Sequence, residues 1–207
     1  MKRISQYWIV AIIVIIPMIA FATVHLLQDK YDALPKLNSA TGLLNNEYKF
    51  LNQYSGEKTF SDWKGQILVI DFFFTSCPTI CPKMTKNLES LAIRFANEKR
   101  IHLLSFTVDP KHDSSLRLLN YAKNIGAIYP GWEFLTGNKK VIYKLARKEF
   151  FVTATDGDGG LQDFIHTDKI ILIDGERNIR GYYDGTSKTE VLQLITDVQK
   201  LQHESKI

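Results

Sequence analysis

Two cysteines, Cys77 and Cys81, are the only ones in the 207-residue sequence, and three residues separate them. A disulfide between them would close too short a loop to constrain much of the unfolded chain, so a purely structural bond is disfavoured. Thiolates attack disulfides and are soft ligands for Cu(I), zinc or iron–sulfur clusters. A cluster needs four cysteines, more than this chain has. The pair therefore predicts a redox dithiol, able to form a disulfide, or part of a metal site whose further ligand lies elsewhere.

The residues on either side of the cysteines predict a turn between a strand and a helix. An apolar run of strand length, 67–74, precedes them, and residues 84–97 have helical spacing. Because Pro82 has no N–H, we expect the regular helix to begin at about Pro82 and residues 77–81 to form an irregular turn. Ligands bind at the carboxyl end of strands in open α/β sheets, and a helix N-terminus favours the thiolate. Both cysteines are therefore expected to be reactive.

Strands and helices alternate around this turn. A second strand-like run, 101–108, follows the helical stretch, so the segment forms a βαβ unit with parallel strands. The other expected elements are helices that begin after Ser114 and Asn138, strands over 170–173 and 179–183, and a helix over 188–203. This order predicts an α/β, thioredoxin-like sandwich. A doubly wound, flavodoxin-like sheet is the alternative.

An uncharged apolar run, 7–27, predicts an N-terminal transmembrane helix, because it is long enough to cross a hydrocarbon core of about 30 Å. Lys2 and Arg3 precede it, so the positive-inside tendency places the rest of the chain on the extracytoplasmic, periplasmic side. A cleaved signal peptide is the alternative, since Ala20 and Ala22 have the spacing of a cleavage site, but the run exceeds the usual h-region. The predicted organisation is a cytosolic stub with a membrane anchor over 1–27, a tether over 28–45 and a domain over 46–207.

The composition is that of a folded protein with no affinity for nucleic acid. Hydrophobic residues make up 45% of the chain and charged residues 23%, which excludes a disordered chain. The net charge of +4 comes from 26 basic and 22 acidic residues spread along the sequence without a dense basic run. A phosphate backbone would require such a run, so we expect no nucleic-acid partner.

Other residues near the cysteines have a simpler explanation than metal binding. Met84 could offer a thioether, but its place in the helical pattern predicts core packing. His102 lies within a predicted strand and His112 in a polar turn, and neither is expected to be a ligand. Asp109 comes before a proline at a strand end, where it stops the strand, with room for a role in docking an acceptor protein.

The segment 75–82, Thr-Ser-Cys-Pro-Thr-Ile-Cys-Pro, resembles the copper-site signature of the Sco/SenC family. Members of this family are membrane-anchored proteins required for assembling the copper centre of cytochrome c oxidase. Thr79 stands where many of them have an aspartate. Three further stretches resemble family landmarks in the same order, so that the similarity spans roughly residues 45–200: 61–66, 107–113 and 164–167.

The resemblance implies a thioredoxin-like fold in which Cys77, Cys81 and His166 bind copper. It also implies a metallochaperone, not an enzyme, that delivers copper to cytochrome c oxidase subunit II or another copper-acceptor protein. The alternative function is a thiol–disulfide oxidoreductase that reduces the cysteines of the acceptor, which needs both cysteines but not His166. A peroxidase with an activated cysteine is a weaker alternative, supported by analogy of fold alone.

Overall fold

The computed structural model describes residues 2–31, 33–39, 48–153 and 167–204. They fall into two units, Met1–Ala33 and Leu34–Ile207. The first unit is a single helix, α1 (Lys2–Tyr31), with Pro17 inside it. Across the part of the chain that the structure describes, no helix combines the length and the apolar character needed to cross a membrane. The transmembrane helix predicted over 7–27 is therefore not supported, although α1 covers these residues.

The second unit contains strands and helices in alternation. Its strands are β1 (Asn38–Ser39), β2 (Phe50–Asn52), β3 (Glu57–Lys58), β4 (Ile67–Phe73), β5 (Ile101–Thr107), β6 (Trp132–Gly137), β7 (Lys169–Ile173) and β8 (Asn178–Asp184). Its helices are α2 (Ile80–Arg94), α3 (Ser115–Asn124), α4 (Lys139–Lys144) and α5 (Lys188–Glu204), with a 3-10 turn at Phe60–Trp63 and a π-helical turn at Leu145–Glu149. Among the described residues, the strands form one sheet in the order β1-β8-β7-β4-β5-β6-β2-β3.

Strand β4 lies at the centre of this sheet and is buried along its whole length. It pairs in parallel with β5 and antiparallel with β7. Because successive side chains of a strand point to opposite faces, β4 contributes to two cores. Val69 and Phe73 pack with residues of α2, α3 and α5 on one face, whereas Leu68 and Ile70 belong to an aromatic-rich core on the other. The central position of β4 fixes the cysteine turn that follows it.

Most predicted elements are confirmed. The unit β4-α2-β5 has parallel strands, and Ser114 and Asn138 cap α3 and α4 by accepting the backbone N–H three residues ahead. Strand β6 is the main element that the sequence analysis missed. It lies beside β5 and is largely buried, so its sequence lacks a clear alternation of apolar and polar residues. Gly131 and Gly137, which are typical of turns, bound it on either side. Strands β2, β7 and β8 run antiparallel to their neighbours, which excludes the all-parallel, doubly wound alternative.

Residues 34–39, inside the stretch predicted as a tether, are part of the second unit and hydrogen-bond to β8. Leu37 N donates to Ile179 O at 2.9 Å, and β1 pairs with β8. Arg180 Nη2 donates to Leu34 O at 2.6 Å. These bonds join residues 34–39 to the edge of the sheet. The sequence did not predict them, because this stretch has no hydrophobic periodicity.

Candidate metal and redox site

The two cysteines lie at the carboxyl end of β4, where the chain turns into α2. Helix α2 begins at Ile80, two residues before the predicted start at Pro82, so Cys81 lies in its first turn. The prediction was wrong because the first four N–H groups of a helix have no partner within it. Pro82 therefore loses no hydrogen bond at the third helical position. The irregular turn is confined to the residues between Phe73 and Ile80.

Cys77 and Cys81 are free cysteines in the structure, and both are buried. The side chain of Cys77 is 9% exposed and that of Cys81 is 2% exposed. The backbone N–H of Cys81 donates to Cys77 Sγ at 3.4 Å, and the two thiols lie within hydrogen-bonding reach of each other. Two adjacent sulfurs are a donor set that can share one metal ion or form a disulfide.

Opposing effects act on the pKa of Cys77. Burial raises it, but hydrogen bonds from the Cys81 thiol and from the backbone N–H groups of residues 79–81 outweigh burial and lower it below its ordinary value. These N–H groups belong to the start of α2, where the helix dipole also favours negative charge. Cys77 is therefore the thiol that ionises first.

The pKa of Cys81 moves in the opposite direction. Burial raises it, and the hydrogen bond with the Cys77 thiol raises it further because it retains the Cys81 proton. The two thiols thus have distinct roles in any exchange reaction. Cys77 supplies the attacking thiolate, and Cys81 keeps its proton until Cys77 has reacted.

A buried carboxyl group, Asp71, lies on β4 and was not among the predicted site residues. It is on the same face of the strand as Phe73, the face covered by α2. Ser105 Oγ donates to Asp71 Oδ1 at 2.5 Å, and Trp132 Nε1 donates to Ser105 Oγ at 3.0 Å. Burial raises the pKa of Asp71 to about 7, against the opposing effect of the Ser105 hydrogen bond, and the charge of Asp71 raises the pKa of Cys81. The signal for this residue is a single aspartate inside an apolar strand.

Of the other residues considered as ligands, the structure describes Met84 and His112, which were not expected to bind metal, but not His166, which was. Met84 is 1% exposed within the core, which confirms its packing role, and His112 Nδ1 lies 2.8 Å from an Asp109 carboxylate oxygen. Within the described ranges, no group of three or more histidine, cysteine or acidic residues could hold a metal ion. His166 lies outside the described residues, so its role as third ligand stays a prediction. What the structure does assemble is a two-sulfur donor set, which suits a soft ion such as Cu(I).

The chain is similar to proteins of one family. The sequence model of SCO1/SenC matches residues 38–202. A SCO1/SenC family lipoprotein from Bacillus anthracis is 31% identical, with 82% of this chain and 99% of that chain covered and a TM-score of 0.68. BsSco, a member of the Sco family of cytochrome c oxidase assembly proteins with an identified disulfide switch, is 29% identical over 83% and 98% of the two chains, with a TM-score of 0.63. Yeast Sco1 with copper bound is 25% identical over 73% and 86%, with a TM-score of 0.55.

These similarities extend beyond the cysteine motif. The region matched by the family model begins with β1 and ends within α5, so it contains every described strand and the β4–α2 turn. The mixed sheet matches the thioredoxin-like structures of Sco proteins, which confirms the predicted α/β, thioredoxin-like fold. The matched region therefore includes the cysteine pair and the elements on either side of it.

Proposed function

Because the chain belongs to the SCO1/SenC family, we propose that it is a copper metallochaperone that serves the assembly of cytochrome c oxidase. The observation that carries the proposal is the pair of adjacent thiols, Cys77 and Cys81, at the β4–α2 turn. Two relatives support it: yeast Sco1 was solved with copper bound, and BsSco is a member of a family of oxidase assembly proteins. Copper is the cargo of such a protein.

In this proposal Cys77 and Cys81 hold Cu(I) through their sulfurs, and His166 supplies a nitrogen ligand. Cys77 binds first because the N–H groups at the start of α2 already stabilise its thiolate. Cys81 gives up its proton when the metal arrives, since a bound cation favours the deprotonated thiol. Pro78 and Thr79 are exposed between the two cysteines, so an acceptor can approach on this side and exchange ligands with the copper.

The acceptor in the proposal is cytochrome c oxidase subunit II or another copper-binding protein outside the cytoplasm. The solved relative from Bacillus anthracis is a lipoprotein, which supports a site of action at a membrane surface. Cell fractionation followed by immunodetection tests this location. Recovery of the protein in the cytoplasmic fraction would contradict it.

Thiol–disulfide exchange is the second candidate function, favoured by the opposite pKa shifts of the two cysteines. The Cys77 thiolate attacks one sulfur of a disulfide in the acceptor, forms a mixed disulfide and releases the other sulfur as a thiolate. Cys81 then loses its proton and attacks Cys77 Sγ, which releases the second acceptor thiolate. The acceptor gains two electrons, and a Cys77–Cys81 disulfide remains. The disulfide switch identified in BsSco is consistent with this chemistry.

Copper binding to the full chain, purified reduced and without oxygen, tests the main proposal. We expect one Cu(I) per chain by metal analysis after removal of excess metal. Cys77→Ser and Cys81→Ser should each abolish tight binding because a single thiolate remains. Retention of stoichiometric copper by the double variant would contradict the site.

A histidine comparison separates copper delivery from thiol chemistry. His166→Ala should weaken Cu(I) binding about tenfold or more, measured by competition with a chelator, while the rate of acceptor disulfide reduction stays close to that of the wild type. His203→Ala is the matched control, because His203 is exposed near the end of α5. An equal effect of the two substitutions on copper affinity would exclude His166 as a ligand.

A further inference from the structure

A second carboxylate near the cysteine turn, that of Asp113, is buried without lying in any strand or helix. The residue is 1% exposed. A buried charge is costly unless it is compensated, and Asp113 accepts three hydrogen bonds and forms one ion pair. Its Oδ2 accepts from Thr75 N at 3.0 Å and from Thr107 Oγ1 at 2.5 Å, and its Oδ1 accepts from Thr75 Oγ1 and lies 3.5 Å from Arg117 Nε. Asp113 thus binds two loops at the carboxyl edge of the sheet.

One of these loops carries Cys77. Thr75 precedes Cys77 by two residues, and Cys77 N donates to Phe74 O at 3.2 Å, so Asp113 fixes the backbone and the side chain of a residue inside this tight turn. Arg117 Nε also donates to Thr75 Oγ1, at 2.8 Å. The backbone N–H and the hydroxyl of Thr75 therefore both donate to Asp113, and the hydroxyl also accepts from Arg117.

The other loop, residues 107–113, is closed on itself and serves as the support. Thr107 Oγ1, which donates to Asp113, accepts from Asp109 N at 3.0 Å. Asp113 N donates to Asp109 O at 2.9 Å. Since Thr107 is the last residue of β5, these bonds connect the cysteine turn to the centre of the sheet.

We infer that Asp113 is a positioning residue for the cysteine pair, an inference that rests on the proposed function. By holding Thr75 it keeps Cys77 Sγ directed at the first N–H groups of α2 and beside Cys81. Both sulfurs then occupy the place that a copper ion or a disulfide requires, and the loop is ordered on folding instead of on binding. Asp113 itself touches neither sulfur and acts through Thr75.

The substitution Asp113→Asn tests this role because it keeps the shape of the side chain. The asparagine amide replaces one acceptor oxygen with an N–H₂ group that faces other donors. We expect Cu(I) affinity, measured by chelator competition, to fall about tenfold. The equilibrium constant for forming the Cys77–Cys81 disulfide from glutathione disulfide, with release of two glutathione molecules, should fall by a similar factor. This second measurement needs no copper.

Asp174→Asn is the matched control, because Asp174 is also buried and accepts hydrogen bonds from four donor groups, but beyond β7 at the opposite end of the sheet. It should lower the free energy of unfolding without changing either copper affinity or the glutathione equilibrium. If both substitutions change the two quantities equally, or if neither does, Asp113 has no positioning role.

Substitutions of Thr75 keep the inference testable should Asp113→Asn fail to fold. Thr75→Ser retains the hydroxyl and the N–H and should behave as the wild type. Thr75→Val retains only the N–H, so its Cu(I) affinity and its equilibrium constant for forming the Cys77–Cys81 disulfide should both be lower. Equal behaviour of these two variants would overturn the inference. If the wild type binds no copper, the proposed function fails, and the glutathione equilibrium still decides the role of Asp113.

Discussion

Only three residues separate Cys77 from Cys81, and yet the two side chains have different environments. Thr79, the N-cap residue of α2, makes no capping hydrogen bond with its side chain. The N–H groups that a capping side chain would accept are directed at Cys77 Sγ instead, so the sulfur acts as the cap of the helix. Cys81 points into the core, where burial outweighs the hydrogen bond that it receives from the Phe74 backbone. Cys77 lies just before α2 and Cys81 lies in its first turn. This difference in position makes Cys77 the reactive thiol and Cys81 the protected one.

Asp71 is expected to make stability depend on pH in a way that a substitution removes. Its pKa rises from 3.8 to about 7 in the folded chain, so the native state keeps a proton that the unfolded chain releases, and stability falls as pH rises from about 4 to about 7. The change corresponds to roughly 4 kcal/mol. Asp71→Asn accepts the same hydrogen bond from Ser105 and should be the more stable protein at pH 8. Urea unfolding of both proteins between pH 4.5 and 8 measures this, and parallel pH curves would refute it.

Helix α2 is the element that carries Cys81, and its position depends on contacts outside the cysteine turn. Leu88 and Leu91 bury one face of it in the core beneath the sheet. On the side towards α5, Asn87 Nδ2 donates to Gly185 O at 2.9 Å, so that the turn after β8 is tied to the helix. Helix packing sets where the first turn of α2 begins, and this fixes the direction of the N–H groups that face Cys77.

Removing this tie should destabilise the protein. Asn87→Ala leaves the Gly185 carbonyl oxygen buried without its donor, which costs about 1–3 kcal/mol. Chemical denaturation of the reduced protein measures the loss. Ser90→Ala is the control on the same helix, because the Ser90 hydroxyl bonds only to the carbonyl of Asn87 one turn earlier and its loss removes no long-range contact. A loss as large in the Ser90 variant would show that local helix stability, not the tie to Gly185, is responsible.

At the scale of the whole second unit, Arg180 joins segments that are far apart in the sequence. Its guanidinium is buried and lies 2.9 Å from Asp174 and 2.7 Å from Glu204, and it also donates to the carbonyl of Leu34. The beginning and the end of the unit therefore meet at the end of the sheet opposite the cysteines.

Breaking this junction should cost far more than breaking a surface ion pair nearby. Arg180→Met leaves Asp174 buried without its cation, and removal of one partner of a buried pair typically costs 3–5 kcal/mol. Lys36→Met removes an exposed pair with Glu176 and should leave stability unchanged within error, because solvent screens that pair. Thermal or urea unfolding distinguishes the two variants. Similar losses in both would contradict a special role for Arg180.

The sequence by itself determined the type of chemistry and the order of the elements. An apolar run, two thiols around a proline and an amphipathic stretch predict a strand, a reactive turn and a helix, because periodicity and helix-end chemistry depend on neighbours in the chain. Short motifs also predicted the family and the ligands Cys77, Cys81 and His166. The sequence did not predict strand β6 or the pairing of residues 34–39 with β8, because both depend on strands that are distant in the chain.

Only the tertiary structure decided how the cysteine pair is held and how its members differ. Asp113 reaches Thr75 across 38 positions and Asp71 accepts from Ser105 across 34, and no local pattern predicts either contact. The pKa values of the two thiols depend on burial and on the N–H groups that the packed α2 directs at them. Residue types set which reaction is available, whereas the dielectric environment and the fixed donors, which exist only after the chain has folded, set which sulfur reacts first.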